Sequence, residues 1–385
     1  MAVERLLPTP EAEDLVALVS EIARERLAPL DAAAEEAEEF PREAFRLLGE
    51  TGLLGMPYPE ELGGLGQPYE VYLQALEEVA AAWMSVAVGV SVHVMTCLAV
   101  HHNGTPEQIE RMLPALTKGD LLGAYALSEA QAGSDIASMT TRAKRGEGSY
   151  QLDGAKSWIS HAGQADYYVT FARTDDDPKR GMSCFLVPGD AAGLSFGPPE
   201  RKLGLTASPT GQVFFDAVQV AADRLIGAEG DGMRIALSAL DSGRLGIAAC
   251  ATGLAQSALD CAVEYARQRV QFGRPIAEFE GLQFLLAEMA AAVDASRATY
   301  LQAARKRDAG KDFTRDAAVA KLTATDTAMR VTTDAVQILG GYGYMKEYPV
   351  EKRMRDAKIT QIYEGTNQIQ RNVIALELIK GLSKK

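Results

Sequence analysis

The sequence predicts an α+β chain of three consecutive domains, with helices at both ends and a β domain between them. Its 385 residues, 47% of them apolar, suffice for two or three domains that each bury a core. Apolar residues recur at helical spacing in the first and last parts, whereas short β-rich runs separated by Gly, Asp and Pro lie between. We therefore expect an N-terminal α-helical domain over 1–120, a β-barrel or sandwich domain over 121–230 and a C-terminal α-helical bundle over 231–385.

Two features locate helices in the N-terminal domain. Pro41 stands between Phe40 and Arg42, and a proline at an early helical position predicts that a helix begins there. The run 55–68 is rich in Gly and Pro, which indicates an irregular connection before the next helix. Residues 1–28 contain no apolar segment of the kind found in secretory signals, so we expect no signal peptide.

A long stretch without charged residues follows. Residues 79–106 contain no Asp, Glu, Lys or Arg, and by length they could span a bilayer. The residues before this stretch are the acidic Glu77 and Glu78, whereas membrane flanks typically carry Lys or Arg. We therefore expect a buried core helix over 79–100 and no membrane span.

Five β-prone runs predict the strands of the middle domain, since each is short and Gly, Asp or Pro separates it from the next. They are 121–127, 150–152, 167–172, 183–187 and 212–215. Asp153 and Gly154 follow the second run, and this dipeptide favours the two-residue turn of a β-hairpin. We expect the chain to reverse direction there.

Helical spacing returns after the β domain and continues to the end of the chain. We expect helices over 233–270, 281–306, 315–339 and 366–382. A cluster of glycines at 340, 341 and 343 should end the third of these helices.

The charge of the chain excludes some classes of partner. The net charge is −13, and the first 120 residues hold 21 acidic and 7 basic residues. A general nucleic-acid or anionic-membrane binder needs a positive face, so both classes are disfavoured. The remainder of the chain is close to neutral and could bind an anionic ligand.

Cysteine usage indicates a reducing compartment. Cys97, Cys184, Cys250 and Cys261 are scattered and form no C-x-x-C pair, which is typical of reduced thiols in a cytoplasmic protein.

Several common catalytic signatures are missing. No G-x-G-x-x-G follows a predicted strand, no P-loop motif occurs, and the four histidines include no H-E-x-x-H zinc motif. We therefore expect no metal site. A carboxylate base or a bound organic cofactor remains as the source of chemistry.

Five segments carry a resemblance to a known family. They are ALSEAQAGSD at 126–135, KSWIS at 156–160, QILGGYG at 337–343, YPVEKRMRDAK at 348–358 and IYEGTNQIQ at 362–370. Together, and in this order, they resemble the acyl-CoA dehydrogenase family on its short- and medium-chain side. The resemblance covers essentially the whole chain.

The resemblance implies a fold, a cofactor and an activity. The implied fold has an N-terminal helical domain, a middle β domain and a C-terminal four-helix bundle. The implied assembly is a homotetramer with one FAD per subunit. The implied reaction is α,β-dehydrogenation of a fatty acyl-CoA to the trans-2-enoyl-CoA in fatty acid β-oxidation and lipid metabolism, with electrons passed to electron-transferring flavoprotein.

Glu364 is the candidate catalytic base. The α-proton of a thioester is weakly acidic, so its removal needs a positioned carboxylate. A second branch of the family carries its base on an earlier helix, where this chain has Gly243, which cannot act as a base. The alternative is that Glu364 merely caps the helix that starts near Thr366.

The resemblance also assigns binding residues. The expected FAD contacts are Tyr125, Leu127, Ser128, Gly133, Ser134, Trp158, Ile159, Ser160, Arg269, Phe272, Gln337, Leu339, Gly340, Gly341, Thr366 and Gln368. The resemblance implies that Arg269 and the loop 337–341 contact FAD across a subunit interface. The expected substrate contacts are Ser134, Asp241, Arg244, Tyr363 and Gly365.

Some of these assignments have open alternatives. Trp158 could be an ordinary core residue, and Asp241 with Arg244 could form a simple i,i+3 salt bridge. The family's usual Glu-Pro-Gly is replaced after Glu129 by Ala130 and Gln131, which leaves the turn of that loop open.

The acyl substrate is expected to be saturated, uncharged and short to medium in length. A dicarboxylate would need a cation in the acyl pocket, yet no Lys or Arg occurs between Leu47 and Glu110, and Met84 stands at the matching place. Two rival hypotheses remain, a same-fold flavin oxidase and a non-catalytic flavin-binding subunit. An intact Glu364 disfavours the second rival.

Overall fold

The computed structural model describes residues 3–178 and 180–383, and these residues form a helical, a β and a second helical block in chain order. The predicted fold class is therefore confirmed. The helical blocks pack on one another, so that the N-terminal helices contact the first long helix of the C-terminal block.

The first block contains six α-helices, and capping interactions define several of their ends. They are α1 Pro10–Ile22, α2 Ala28–Ala37, α3 Arg42–Glu50, α4 Tyr69–Ala82, α5 Met84–Asn103 and α6 Pro106–Thr117, with a π-helical turn at Ala23–Leu27. The Thr9 side chain accepts a hydrogen bond from Ala12 at the start of α1. Helix α3 begins directly after Pro41, as predicted.

The predicted helix over 79–100 is wrong in one respect, because the chain breaks at Trp83 between α4 and α5. Trp83 has extended backbone angles, φ −153° and ψ 101°. Its buried indole donates a hydrogen bond of 3.0 Å to Glu35 Oε1, which also accepts from Ser85. A single continuous helix would carry the indole away from this acceptor.

The described residues of the middle block form one mixed sheet of eight strands. The strands are β1 Gly123–Ala126, β2 Arg142–Arg145, β3 Ser149–Ser160, β4 Tyr167–Arg173, β5 Met182–Pro188, β6 Leu194–Phe196, β7 Thr210–Ala221 and β8 Leu225–Ile226. Their order is β6-β7-β3-β2-β4-β5-β8, with β1 parallel to β4. All five predicted runs overlap strands, although the run 121–127 extends beyond β1 at both ends, and β2, β6 and β8 were not predicted.

The predicted hairpin turn at Asp153 and Gly154 is wrong. Strand β3 continues through both residues, and its pairing with β7 shifts register between Leu152 and Gly154, which marks a β-bulge. A Cβ on Gly154 would lie 2.8 Å from the Thr141 Cα, so glycine serves close backbone approach there rather than a turn. The reversal between β2 and β3 instead uses Gly146 and Gly148.

Up to residue 383, the last block contains five α-helices and one short hairpin. The helices are α7 Gly232–Gln268, α8 Glu280–Asp308, α9 Thr314–Leu339, α10 Val350–Thr360 and α11 Asn367–Ser383, and the hairpin consists of β9 Val270–Gln271 and β10 Arg274–Pro275. Helix α9 packs against the other four helices of this block. The four cysteines are free, as predicted.

Two helices of the described residues are apolar and long enough to cross a membrane. They are α5 and α7, and 94% and 78% of their most apolar 18-residue windows are buried within the protein. Core helices of globular proteins pass the same test, so this burial matches the expected core helix.

Helix α7 approaches α4 closely through a glycine. A Cβ added to Gly253 would overlap the carbonyl oxygen of Glu77 and lie 3.0 Å from the Ala80 Cβ. This contact sets the distance between α4 and α7, and both helices contribute residues to the site described below.

Replacement of Gly253 by alanine should therefore destabilise the protein although alanine favours helices. We expect a loss of about 1–3 kcal/mol from overpacking. Gly281, near the start of α8, has no atom within 4 Å of an added Cβ and is the matched control. Gly281→Ala should leave stability unchanged or raise it, as measured by urea unfolding. Equal stability of the two variants would contradict the close approach.

Candidate active site

Glu364 lies in a tight turn between α10 and α11. Glu364 has φ 50° and Gly365 has φ 87°, so two consecutive residues occupy the left-handed region. Helix α11 is capped by Thr366, whose Oγ1 accepts a hydrogen bond of 3.3 Å from the Ile369 amide. Glu364 therefore does not cap the helix, and its side chain is free to serve another role.

The carboxylate of Glu364 is buried without a hydrogen-bond partner. Both of its oxygens are shielded from solvent and have no partner among the described residues. Burial raises the pKa of Glu364 from its usual 4.5 to about 7, while the positive charges of Lys321 and Arg244 oppose this rise. A carboxylate with such a pKa is suited to accept a proton near neutral pH.

Gly243 on α7 provides the space for this carboxylate. A Cβ on Gly243 would overlap Glu364 Oε2 and lie 2.9 Å from the sulfur of Met95 on α5. The two places where the sequence could have carried a base are therefore adjacent in space. Because position 243 is glycine, the Glu364 carboxylate fits against α7.

The surroundings of the carboxylate are apolar and phenolic. The hydroxyls of Tyr72 and Tyr363 are also buried without a partner among the described residues. The Tyr69 hydroxyl donates to the backbone carbonyl of Ser242 at 3.1 Å. Unpaired buried polar atoms are rare in proteins, so their convergence marks a place built for chemistry rather than for stability.

Two side chains donate hydrogen bonds to the backbone carbonyl of Gly365, the residue after Glu364. Lys321 Nζ donates to the Gly365 carbonyl at 2.9 Å and to Asn367 Oδ1 at 2.9 Å. Gln370 Nε2 donates to the same Gly365 carbonyl at 2.9 Å. The sequence analysis missed Lys321, and the available signal was a lysine within the Ala-rich, otherwise buried face of α9.

Asp241 and Arg244 form the i,i+3 salt bridge that was the simpler alternative, with Arg244 Nη1 at 2.5 Å from Asp241 Oδ1. Thr314 Oγ1 donates to Asp241 Oδ2 at 2.7 Å, which ties α7 to the start of α9. Arg244 is nearly buried, and its Nε has no partner among the described residues. The pair can therefore still offer an unpaired donor to a ligand.

The segment that contains Leu127 and Ser128 is fixed against strand β3. The Ser128 backbone carbonyl accepts a hydrogen bond of 2.9 Å from the Ser157 amide, and the Ser128 hydroxyl donates one of 2.8 Å to the Ser157 carbonyl. Lys156 Nζ donates to the Leu127 carbonyl at 3.0 Å and to Glu129 Oε1 at 2.8 Å. These bonds present the segment as a rigid edge.

The loop after Glu129 closes without the Pro-Gly sequence that is usual in the family. Glu129 and Ala132 exchange both backbone hydrogen bonds, at 3.1 and 3.0 Å. The Glu129 carboxylate also accepts the amides of Thr140 and Thr141. Gly133 and Ser134 follow this turn on the surface.

Trp158 is not a core residue, since 53% of its surface is exposed to solvent. Its backbone is left-handed with φ 59°, and a register shift between Lys156 and Ile159 marks a bulge. A bulge turns a side chain away from the sheet pattern. The neighbouring Ile159 packs in the β core and Ser160 is half-buried, so those two residues could contact a ligand mainly through the backbone.

Residues of the expected phosphate-binding region line a cavity of 540 Å³ between α7 and the end of α9. The lining includes Arg269, Leu339, Gly340 and Gly341. An added Cβ on either glycine would meet no atom within 4 Å, so the backbone there is open to a ligand. Phe272 lies outside this lining and is 95% exposed.

The other predicted cofactor residues occupy separate positions. Gln337 is exposed on α9, and the Tyr125 hydroxyl donates to the Ala236 carbonyl at 3.3 Å. Gln368 lines a second cavity of 310 Å³ together with Lys358 and Arg371.

These features suit FAD. An exposed indole beside a rigid backbone edge can pack against an aromatic ring. A guanidinium beside open glycine backbone can bind a diphosphate, because its planar fork matches phosphate oxygens. Among the described residues no group of three or more His, Cys, Asp or Glu side chains is placed to hold a metal ion.

Sequence models of three protein domains match this chain. They are described as the N-terminal domain of acyl-CoA dehydrogenase over residues 9–120, its middle domain over 124–218 and its C-terminal domain over 230–379.

Individual proteins are similar over nearly the whole chain. An acyl-CoA dehydrogenase of Bacillus subtilis is 45% identical, covering 94% of this chain and 97% of its own length. Butyryl-CoA dehydrogenase from Megasphaera elsdenii superposes with a TM-score of 0.95 at 40% identity, covering 98% of this chain and all of that chain. A chain from a structure titled for the electron transferring flavoprotein of Acidaminococcus fermentans superposes with a TM-score of 0.95 at 39% identity. The match covers 98% of this chain and 99% of that chain.

The buried Glu364 should make stability depend on pH in a defined direction. Its pKa is raised in the folded state to about 7, so the folded state binds more protons than the unfolded state between pH 4.5 and pH 7. Stability is thus lost as the pH rises through this window. The difference in unfolding free energy between Glu364→Gln and the unmodified protein should grow by about 3 kcal/mol from pH 4.5 to pH 8.

Urea unfolding of both proteins across this pH range tests the expectation. Only the pH dependence of the difference matters, because the new amide can add a constant offset. A difference that stays constant with pH would show that the carboxylate is solvated.

Proposed function

This chain belongs to the acyl-CoA dehydrogenase family, and we propose that it converts a saturated acyl-CoA to the trans-2-enoyl-CoA with Glu364 as the base. Members of this family are FAD-dependent oxidoreductases, so the enzyme class and the cofactor follow from membership. The observation that carries the proposed mechanism is the buried, unpaired Glu364 carboxylate in an apolar surrounding.

Glu364 removes the α-proton of the thioester. Its pKa of about 7 leaves a useful fraction ionised at neutral pH while keeping the carboxylate basic enough to accept a weakly acidic proton. The backbone N–H of Glu364 binds the thioester carbonyl oxygen, where negative charge develops. Gly365 lacks a Cβ, which lets the substrate lie against the backbone of the turn, and Tyr363 closes the site from one side.

Residues from several parts of this chain would hold FAD. Trp158, Leu127 and Ser128 would contact its ring system. Arg269 with Gly340 and Gly341 would contact the diphosphate of the FAD of a neighbouring subunit. The remaining proposed contacts are Tyr125, Gly133, Ser134, Ile159, Ser160, Phe272, Gln337, Leu339, Thr366 and Gln368. When bound, FAD supplies the acceptor for the β-hydride.

The substrate is an uncharged acyl chain of short to medium length. No Lys or Arg occurs between Leu47 and Glu110, and Met84, at the place that a dicarboxylate-specific relative would give to arginine, is buried. The similarity to a butyryl-CoA dehydrogenase supports a short chain. Asp241, Arg244 and Ser134 contact the coenzyme A part.

The cellular setting forms a further part of the proposal. We propose electron-transferring flavoprotein as the electron acceptor, fatty acid β-oxidation as the pathway, a cytoplasmic location and a homotetramer. Exposed apolar side chains such as Phe272, Phe284 and Leu376 support assembly. The domain boundaries at 120 and 230 are also proposed, supported by the helix and strand positions.

Anaerobic titration tests the proposed reaction. The purified yellow protein should lose its flavin absorbance on addition of butyryl-CoA and should retain it with glutaryl-CoA. Octanoyl-CoA and branched acyl-CoAs then define the length and branching range. A protein without a flavin spectrum would contradict the FAD assignment, and bleaching by glutaryl-CoA alone would contradict the substrate class.

Glu364→Gln should keep its FAD and lose at least about a hundredfold in the rate of bleaching, because a general base contributes that much or more. Asp241→Asn is the comparison, since its proposed role is binding and its main effect should fall on KM. Full bleaching by Glu364→Gln would place the base elsewhere. Peroxide formation at the turnover rate without electron-transferring flavoprotein would identify an oxidase.

Trp158 offers a test of FAD placement that does not depend on turnover. Trp158→Ala should weaken FAD binding by about tenfold, and Trp158→Phe by less, because an aromatic face contributes roughly 0.5–1.5 kcal/mol beyond area burial. Flavin fluorescence during release from each variant measures this. An unchanged affinity in Trp158→Ala would remove the indole from the FAD site.

A further inference from the structure

Lys321 lies in the interior of the C-terminal helical block. It stands on α9 among alanines, and none of its surface is exposed to solvent. A buried lysine without compensating interactions is strongly disfavoured, because desolvation of the ammonium costs several kcal/mol. Its presence therefore calls for a function that an alanine or leucine could not serve.

The side-chain hydrogen bonds of Lys321 go to the loop that carries Glu364 and to the residue that begins α11. Its Nζ donates to the Gly365 carbonyl and to Asn367 Oδ1, both at 2.9 Å. Asn367 in turn donates to Thr325 Oγ1 at 2.9 Å and to Asp326 Oδ1 at 2.7 Å. The Lys321 ammonium thus binds Gly365, the residue directly after Glu364, and Asn367, the first residue of α11.

This arrangement stabilises a turn that the chain would otherwise resist. A non-glycine residue such as Glu364 at φ 50° is in a sparsely populated conformation that persists only where neighbours fix it. Gln370 shares the Gly365 carbonyl but carries no charge. Lys321 can therefore place a positive charge at the turn, which Gln370 cannot.

The groups facing Glu364 come from every element packed around the turn. Lys321 and Arg244 are cationic. The others are buried phenols and a thiol whose pKa values are raised by burial, so they stay neutral near pH 7: Tyr69, Tyr72, Tyr125, Cys250 and Tyr363. The groups facing Lys321 itself are Glu364, Arg244 and Asp326. Burial lowers the pKa of Lys321 to about 7, and the charge of Glu364 opposes this fall, so the charges of the two groups depend on each other.

Of the two cations, Arg244 is already paired with Asp241 at 2.5 Å. Lys321 has only neutral acceptors in its hydrogen bonds, a backbone carbonyl and an amide oxygen. Of the two acidic groups that raise the pKa of Lys321, Glu364 has the larger effect and Asp326 the smaller. This difference singles out Lys321 as the group that favours the ionised form of the carboxylate.

We propose that Lys321 is a positioning residue for the Glu364 base, holding the Glu364–Gly365 turn in its left-handed form and keeping the carboxylate ionised. This inference rests on the proposed function, because it assumes that Glu364 removes a proton from the substrate. Lys321 acts through Glu364 and does not itself touch the substrate.

The test uses the flavin-bound enzyme with Lys321→Met, which keeps the length of the side chain and removes its charge and donors. The protonation of Glu364 is followed by infrared difference spectroscopy, with the band assigned by its loss in Glu364→Gln. In Lys321→Met the midpoint should move to higher pH by roughly one unit, since loss of a nearby opposite charge disfavours the anion.

Kinetics with butyryl-CoA provide the second readout. The pH profile of kcat/KM, which reports the free enzyme, should shift by the same roughly one unit. At pH 7 the value should fall about fivefold, with most of the loss recovered at pH 9, as expected for a base that is protonated one unit higher.

Two control variants separate charge from structure. Gln370→Met removes the other donor to Gly365, and it should increase amide hydrogen exchange of the turn without moving the infrared midpoint. Lys352→Met removes a nearly buried lysine that pairs with Asp31 and Asp356, and it should lower stability without moving the midpoint. Lys321→Gln carries the same test if Lys321→Met does not fold.

The outcomes are distinct. An infrared midpoint and pH profile unchanged in a folded Lys321 variant would overturn the inference, and so would a shift of equal size in Lys352→Met. Failure of the unmodified enzyme to bleach with any acyl-CoA would instead overturn the proposed function. The infrared midpoint of Lys321→Met can be measured in either case.

Discussion

The site depends on one physical constraint, the burial of a carboxylate that has no hydrogen-bond partner. Desolvation of Glu364 raises its pKa to about 7 and thereby makes a usually weak base effective near neutral pH. The same burial costs stability, and the rest of the fold offsets that cost. Helices α4, α5 and α7 surround the carboxylate, and the close approach at Gly253 fixes two of them relative to each other. A site of this kind trades stability for reactivity.

Absence of side chains at two positions is as important as the groups that are present. Gly243 leaves the volume that Glu364 occupies, and Gly365 allows the turn that aims it. Two cations, Lys321 on α9 and Arg244 on α7, oppose the rise in the pKa of Glu364. The arrangement explains how one acidic residue in an apolar setting can stay partly ionised without a direct ion pair. Structure and reactivity are thus coupled through the same few contacts.

The sequence alone predicts the three blocks and offers Glu364 as the proposed base, because helical and strand periodicities are local and Glu364 stands in an extended motif. It does not predict where long-range contacts override local preference. The break at Trp83 depends on Glu35, 48 residues away, and the bulge at Gly154 depends on the close approach of Thr141. Motif analysis does not identify Lys321 for the same reason. Its partners lie 44 and 46 residues later in the chain and meet it only after folding.

The most direct test of the central claim is the exchange of the α-proton of butyryl-CoA for deuterium under anaerobic conditions, observed by mass spectrometry. The unmodified enzyme should catalyse exchange at carbon two with a rate that rises with pH through about 7, following the ionisation of Glu364. Glu364→Gln should slow this exchange by at least about a hundredfold while retaining FAD. Exchange that persists at the original rate in Glu364→Gln would contradict the account, because another group would then be removing the proton.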